Sequence, residues 1–282
     1  MRILVIRRLW VGVTIAAIMG WGTACRASLP PGRARNPVIW ADVPDPAVIR
    51  VGDTYYMSST TMHMCPGLPI MKSKDLVNWD MVGYAYPRLE DNEQTLLQHG
   101  RNMYGKGSWA SSLRYHDGMF YVTTFALNTG KNYIFKTPDI ESGPWEEIAF
   151  TPLLYDGSLF FDDDGRVYQM CEDGDIRLVE LKEDLTGVKP GGFDRIVIED
   201  ASGISGKEMI VEAEGAHLHK IHGKYYLFLI SWPRNDMRTQ LVFRADRIEG
   251  PYEGRIFLHA ADVLRSHAPG TGHAGLDRTV GQ

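Results

Sequence analysis

Long apolar runs are scarce in this 282-residue chain, and that scarcity argues against membrane-spanning helices. Crossing a bilayer as a helix takes roughly 17 to 25 apolar residues. The longest stretch here, Leu9 to Trp21, is 13 residues and sits at the N-terminus. Positive charge is also thinly spread. The net charge is −5 and no basic run exceeds two residues, so the electrostatic footprint of a nucleic-acid binder is missing. Long amphipathic patterns of helical period are few, which argues against a helical fold. Cysteine is limited to Cys25, Cys65 and Cys171, and the spacing of the last two does not decide whether they meet.

What is present points to strands. Thirteen Tyr, seven Trp and 29 Gly suit many short β-strands joined by tight turns, and a 44% hydrophobic content can bury a core. Arg2, Arg7 and Arg8 precede the N-terminal apolar stretch, and small residues follow it, which is the layout of an export signal. The expected division is a signal over residues 1–27, a linker over 28–35 and an all-β domain over 36–282. Cys25 follows Gly22-Thr23-Ala24, loosely resembling a bacterial lipobox. Acylation at Cys25, giving a surface lipoprotein, and simple cleavage nearby are the two readings. Either one places the mature protein in the periplasm or outside the cell.

Four segments share a hairpin design: IRVGDTYYMS (49–58), YHDGMFYVTT (115–124), FDDDGRVYQM (161–170) and KIHGKYYLFL (220–229). In each, Gly supplies the turn and alternating aromatics suit a half-buried pleat. A second echo follows three of the four, in SKDLVNWDMVG, TPDIESGPWEEIAF and ADRIEGPYEGRIFL. Hairpin plus echo gives four strands per repeat, the blade of a β-propeller. A β-sandwich is the competing architecture, and it predicts no such recurrence.

A propeller brings the mouths of its innermost strands together around one axis. Those mouths read Asp45-Pro-Ala-Val-Ile, Ser111-Ser-Leu-Arg, Asp156-Gly-Ser-Leu-Phe and Glu214-Gly-Ala-His-Leu. Asp-Pro and Asp-Gly are common in turns, so Asp45 or Asp156 alone would be structural. Three carboxylates at one strand position are more than turn chemistry. Crowded acids have their proton affinities driven apart, which acid/base catalysis of glycoside hydrolysis requires.

At this point the residues resemble glycoside hydrolase family 43, through PDPAVIRVGDTYYMSSTTMHMCPGLPIMKSKDLVNW, WASSLRYHDGMFYV, DGSLFFDDDGRVY and EGAHLHKIHGKYYLF, spanning residues 36 to about 276. The resemblance implies a five-bladed propeller that removes arabinofuranosyl or xylosyl units from plant polysaccharides with inversion. Carried over by motif, Asp45 is the general base, Asp156 the residue that tunes proton affinity and orientation, and Glu214 the general acid. An inverting pair is expected roughly 6.5 to 9.5 Å apart, with room for water. Gly157, Ala47 and Ala216 depart from the Pro, Ser and Pro common in the family.

Trp109 is the candidate sugar platform, and Arg238 could bind a sugar hydroxyl or a carboxylate, against a solvated surface role. Met62, His63 and Met64 are rim candidates, with core filling as the alternative. The resemblance places His273 near a calcium or water cluster on the axis. Calcium is therefore weighed as a structural ion, and the chemistry requires no cofactor. After His273 the chain continues only as AGLDRTVGQ, whereas relatives complete a fifth blade. Four blades and the first strand of a fifth are thus expected, with apolar flanks, low stability and weakened activity. The functional rival is a carbohydrate-binding propeller without turnover. A sialidase-like propeller is disfavoured because neither Asp-box repeats nor an arginine triad is visible.

Overall fold

The computed structural model describes residues 37–62 and 65–260. The expected N-terminal signal, Cys25, the rim candidates His63 and Met64, and His273 with its expected fifth-blade strand lie outside the described residues.

Among the described residues sixteen strands form four four-stranded antiparallel sheets, each ordered as in the sequence. The first is β1 (Ala47–Val51), β2 (Thr54–Ser58), β3 (Gly67–Ser73) and β4 (Trp79–Tyr86). The second is β5 (Ser112–His116), β6 (Met119–Ala126), β7 (Lys131–Thr137) and β8 (Glu146–Phe150). The third is β9 (Ser158–Phe161), β10 (Val167–Cys171), β11 (Ile176–Leu181) and β12 (Asp194–Ile198). The fourth is β13 (Met209–Ile221), β14 (Lys224–Pro233), β15 (Thr239–Ala245) and β16 (Glu253–His259). These meanders are propeller blades.

The four hairpins fall where the sequence put them, joining the first two strands of every blade. Their turn glycines, Gly52, Gly118, Gly165 and Gly223, all have positive φ, which explains their recurrence. In the third blade β11 and β12 complete the sheet although the second echo is absent there.

Each core lies between consecutive blades. Tyr56, Leu68, Ile70, Val122 and Phe135 pack the first against the second. Ile134, Leu154, Leu159 and Val179 join the second to the third. Tyr168, Met170, Leu218, Leu227 and Phe243 join the third to the fourth. The inner strands follow suit, with β1 beside β5, β5 beside β9 and β9 beside β13. Strand-mouth residues distant in sequence therefore converge. On the fourth blade's far face Tyr226, Phe228 and Phe257 surround a hollow of about 490 Å³, and Phe257 is 55% exposed. Cys65 and Cys171 are both free thiols, the first exposed and the second buried.

Candidate active site

Asp45 and Asp156 stand two residues ahead of β1 and β9, and both adopt left-handed backbone, with φ of 49° and 50°. Asp enters this region more readily than most side chains because its short polar group bonds locally. The loop before Asp45 is pinned through the Pro44 carbonyl, which accepts the Ser59 hydroxyl at 2.5 Å and the Thr60 amide at 3.3 Å. Glu214 differs from the expectation of a strand mouth. It lies inside the long strand β13, with register shifts on either side of it. Such irregularities re-aim a side chain, and Gly215, with φ of 68°, completes the bend.

The third and fourth blades are stitched at this bend. The Gly215 amide donates to Asp156 Oδ2 at 2.6 Å, and the Tyr155 hydroxyl donates to Glu214 Oε2 at 3.2 Å. Asp45 is the most open of the three acids, while Asp156 and Glu214 are half-buried.

Their proton affinities reflect shared surroundings. Burial pushes Asp156 up to about 7; the charges of Glu214, Asp45 and Asp173 add to the rise, and the Gly215 N–H opposes it. Glu214 is also raised, first by burial and then by Asp173 and Asp45, with the Tyr155 hydroxyl and Arg238 pulling it back. Asp45 is raised by burial and Asp42 and lowered by Arg238. The three acids thus lie within one another's fields, as acid/base machinery demands.

Arg238 joins this group through its charge. Its guanidinium lies 5.3 Å from the Trp232 ring centre, and the Trp232 indole N–H donates to the Asp236 carbonyl at 2.9 Å. The side chain is exposed, yet it faces the acids rather than bulk water alone. Trp109 precedes β5 half-buried, its amide donating to the Phe125 carbonyl at 3.1 Å and its indole N–H buried without a partner. The carbonyl of Met62, a rim candidate, accepts the Gly107 amide at 2.7 Å. Sequence reasoning missed Tyr155, Asp173 and Trp232. A phenol immediately ahead of a mouth aspartate was the available signal for the first; Asp173 lies just after β10 and Trp232 near the end of β14, and no spacing reveals their approach to the acids.

Below the acids Arg114 occupies the hub. Its guanidinium donates to the carbonyls of Leu159 at 2.8 Å, Leu113 at 3.0 Å and Leu218 at 3.4 Å, tying β5, β9 and β13 together. Burial and this cation hold His217 at about 3 and His219 at about 4, so both imidazoles are neutral at pH 7. No group of three or more His, Cys, Asp or Glu is gathered for a metal among the described residues. The hub carbonyls, the oxygens a calcium ion would prefer, already accept from Arg114. The calcium expected beside His273 concerns a position outside the described residues.

Four antiparallel blades with three carboxylates drawn to their hub define the chain as a β-propeller with an acidic central site. Residues 34–281 match glycosyl hydrolases family 43, and the chain belongs to that family. A β-xylosidase of Formosa agariphila is 32% identical over 260 residues, covering 84% of this chain and 43% of that protein. A non-reducing end α-L-arabinofuranosidase of Bacteroides ovatus is 33% identical over 225 residues, covering 78% of this chain and 40% of the other. A solved structure described as a bifunctional GH43-CE from Bacteroides eggerthii superposes with a TM-score of 0.78 at 55% identity, covering 80% of this chain and 29% of that one. The chain spans less than half the length of the curated relatives named here.

Proposed function

We propose that this chain carries the catalytic site of an exported glycosidase that removes terminal α-L-arabinofuranosyl or β-D-xylosyl units from hemicellulose with inversion. The observation that supports this most is the tie between Asp156 and the Glu214-Gly215 bend, within the field of Asp45. The names of the two relatives supply the two sugars. The N-terminal signal pattern supports export to the periplasm or beyond, with Cys25 as an anchor point if it is acylated.

In this reading Glu214, kept protonated by burial and neighbouring negative charge, gives its proton to the leaving oxygen as the glycosidic C–O bond breaks. Asp45, whose proton affinity burial raises and Arg238 opposes, takes a proton from water on the opposite face of the ring. The resulting oxygen nucleophile bonds the anomeric carbon and inverts it. Exchange with solvent returns one proton to Glu214 and removes one from Asp45. Asp156 sets the charge beside Glu214 and holds its bend. Arg238 reaches sugar hydroxyls, and Trp109 offers an aromatic wall.

Aryl α-L-arabinofuranosides and β-D-xylosides test the reading. Aryl release, abolished by Asp45→Asn, with product of inverted anomeric configuration by proton NMR, is expected, and Glu214→Gln should lose cleavage of an alkyl glycoside, whose leaving oxygen needs the proton. Sugar binding without release would instead establish the non-catalytic propeller.

A further inference from the structure

Two adjacent residues of the third blade grip two adjacent residues of the fourth. Asp156 accepts from the amide of Gly215, and Tyr155 donates to the carboxyl of Glu214. Tyr155 is itself held from two further directions. Its ring packs against Phe125 with centres 5.0 Å apart, and Phe125 is 1% exposed on β6 of the second blade. Its carbonyl accepts the Glu172 amide at 2.8 Å, fixing it to the end of β10. One residue therefore ties Glu214 to the second and third blades, although Glu214 belongs to the fourth.

We propose that Tyr155 is a positioning residue of the reaction, its hydroxyl holding the Glu214 carboxyl in the orientation from which the proton leaves. This rests on Glu214 being the general acid. With Oε2 accepting from the phenol, the transferable proton sits on Oε1. As it passes to the leaving oxygen and the C–O bond breaks, the negative charge forming on the carboxyl is met by the Tyr155 O–H. No other proton needs to move. The charged and titratable groups facing Glu214 are Asp45 before β1, Tyr155 and Asp156 before β9, Asp173 after β10 and Arg238 after β14. Asp45 and Asp173 disfavour the ionised acid, while Arg238 and Tyr155 favour it. Tyr155 is the one that also makes a directional contact with it.

Tyr155→Phe keeps the ring on Phe125 and removes only the O–H. In a ¹³C NMR titration of the full chain, the Glu214 carboxyl is expected to titrate about one pH unit higher in the variant. The alkaline limb of kcat/KM should move up with it, because the acid stays protonated to higher pH. At the optimum, kcat on an alkyl glycoside should fall about tenfold, while a p-nitrophenyl glycoside, whose leaving group needs little protonation, should change far less. An unmoved Glu214 titration, or equal losses on both substrates with an unmoved pH profile, overturns the proposal. Glu214→Gln separates the two levels of argument. If it still cleaves the alkyl glycoside at the parental rate, the assignment of the acid fails, and the role of Tyr155 in the reaction fails with it. If it loses that activity while Tyr155→Phe leaves the titration unmoved, only the role of Tyr155 fails.

Discussion

Gly157 and Gln169 oppose each other across the start of the third blade so closely that a Cβ on Gly157 would lie 2.1 Å from the Gln169 amide nitrogen. The Gln169 side chain fills the volume that a proline ring at position 157 would need. That accounts for glycine where the family commonly has proline. Gly157→Ala is expected to lower stability by about 1 to 3 kcal/mol through overpacking. Adding Gln169→Ala should recover part of the loss, so urea unfolding of the four proteins in the cycle should show coupling. Strictly additive losses would refute the steric account.

Asp156 sets a pH dependence of folding. Its folded pKa is raised to about 7 from an ordinary 3.8. Between those values the native chain binds more protons than the unfolded one, so this group's contribution declines as pH rises through the window. Asp156→Asn is free of that decline and its side-chain oxygen can still accept from Gly215. Melting curves should place the variant above the parent at pH 8, by about 1 to 3 kcal/mol after allowance for solvent screening, and level with it near pH 4. His217 and His219 titrate in both proteins, so the difference isolates Asp156. A parent more stable than the variant at pH 8 would contradict the burial argument.

Arg238 lowers the proton affinity of both Asp45 and Glu214. Arg238→Gln should therefore raise the acid and alkaline limbs of kcat/KM together, by less than about one unit given the exposure and screening of the side chain. Trp232→Leu removes the platform and should raise KM about two- to fivefold. Limbs that stay in place in Arg238→Gln would remove Arg238 from the electrostatics of the site.

Arg114 donates to three inner-strand carbonyls. Arg114→Leu should cost about 3 kcal/mol in chemical denaturation, because buried acceptors lose their donor. Arg114→Lys should recover little, since a single ammonium cannot span three strands as a planar fork can. A lysine variant as stable as the parent would show that the charge matters and the fork does not.

The propeller was legible because its signal is local. Each hairpin glycine needs positive φ, and each aromatic strand alternates, so four repeats could be found from turns alone. The third blade hid its outer strands because β11 and β12 are joined through residues 182–193 without the Asp-aliphatic-turn-aromatic pattern of the others. The acids were legible because strand-mouth position is shared across blades. Tyr155 was not, because its contact with Glu214 joins residues 59 apart in sequence and depends on how two blades meet. Arg238 was read as a candidate without its platform, because Trp232 reaches it across a turn whose shape no residue spacing encodes.

The backbone at Asp45 and Asp156 also limits redesign. Lengthening either residue to glutamate would trade a side chain that settles comfortably at φ near +50° for one that does not, while pushing its carboxyl past the place its neighbours are built around. At the proposed acid the chain solves the same problem differently, assigning the left-handed twist to Gly215 and leaving Glu214 free to be long. An exchange of roles between these carboxylates would thus require moving a glycine as well as an acid.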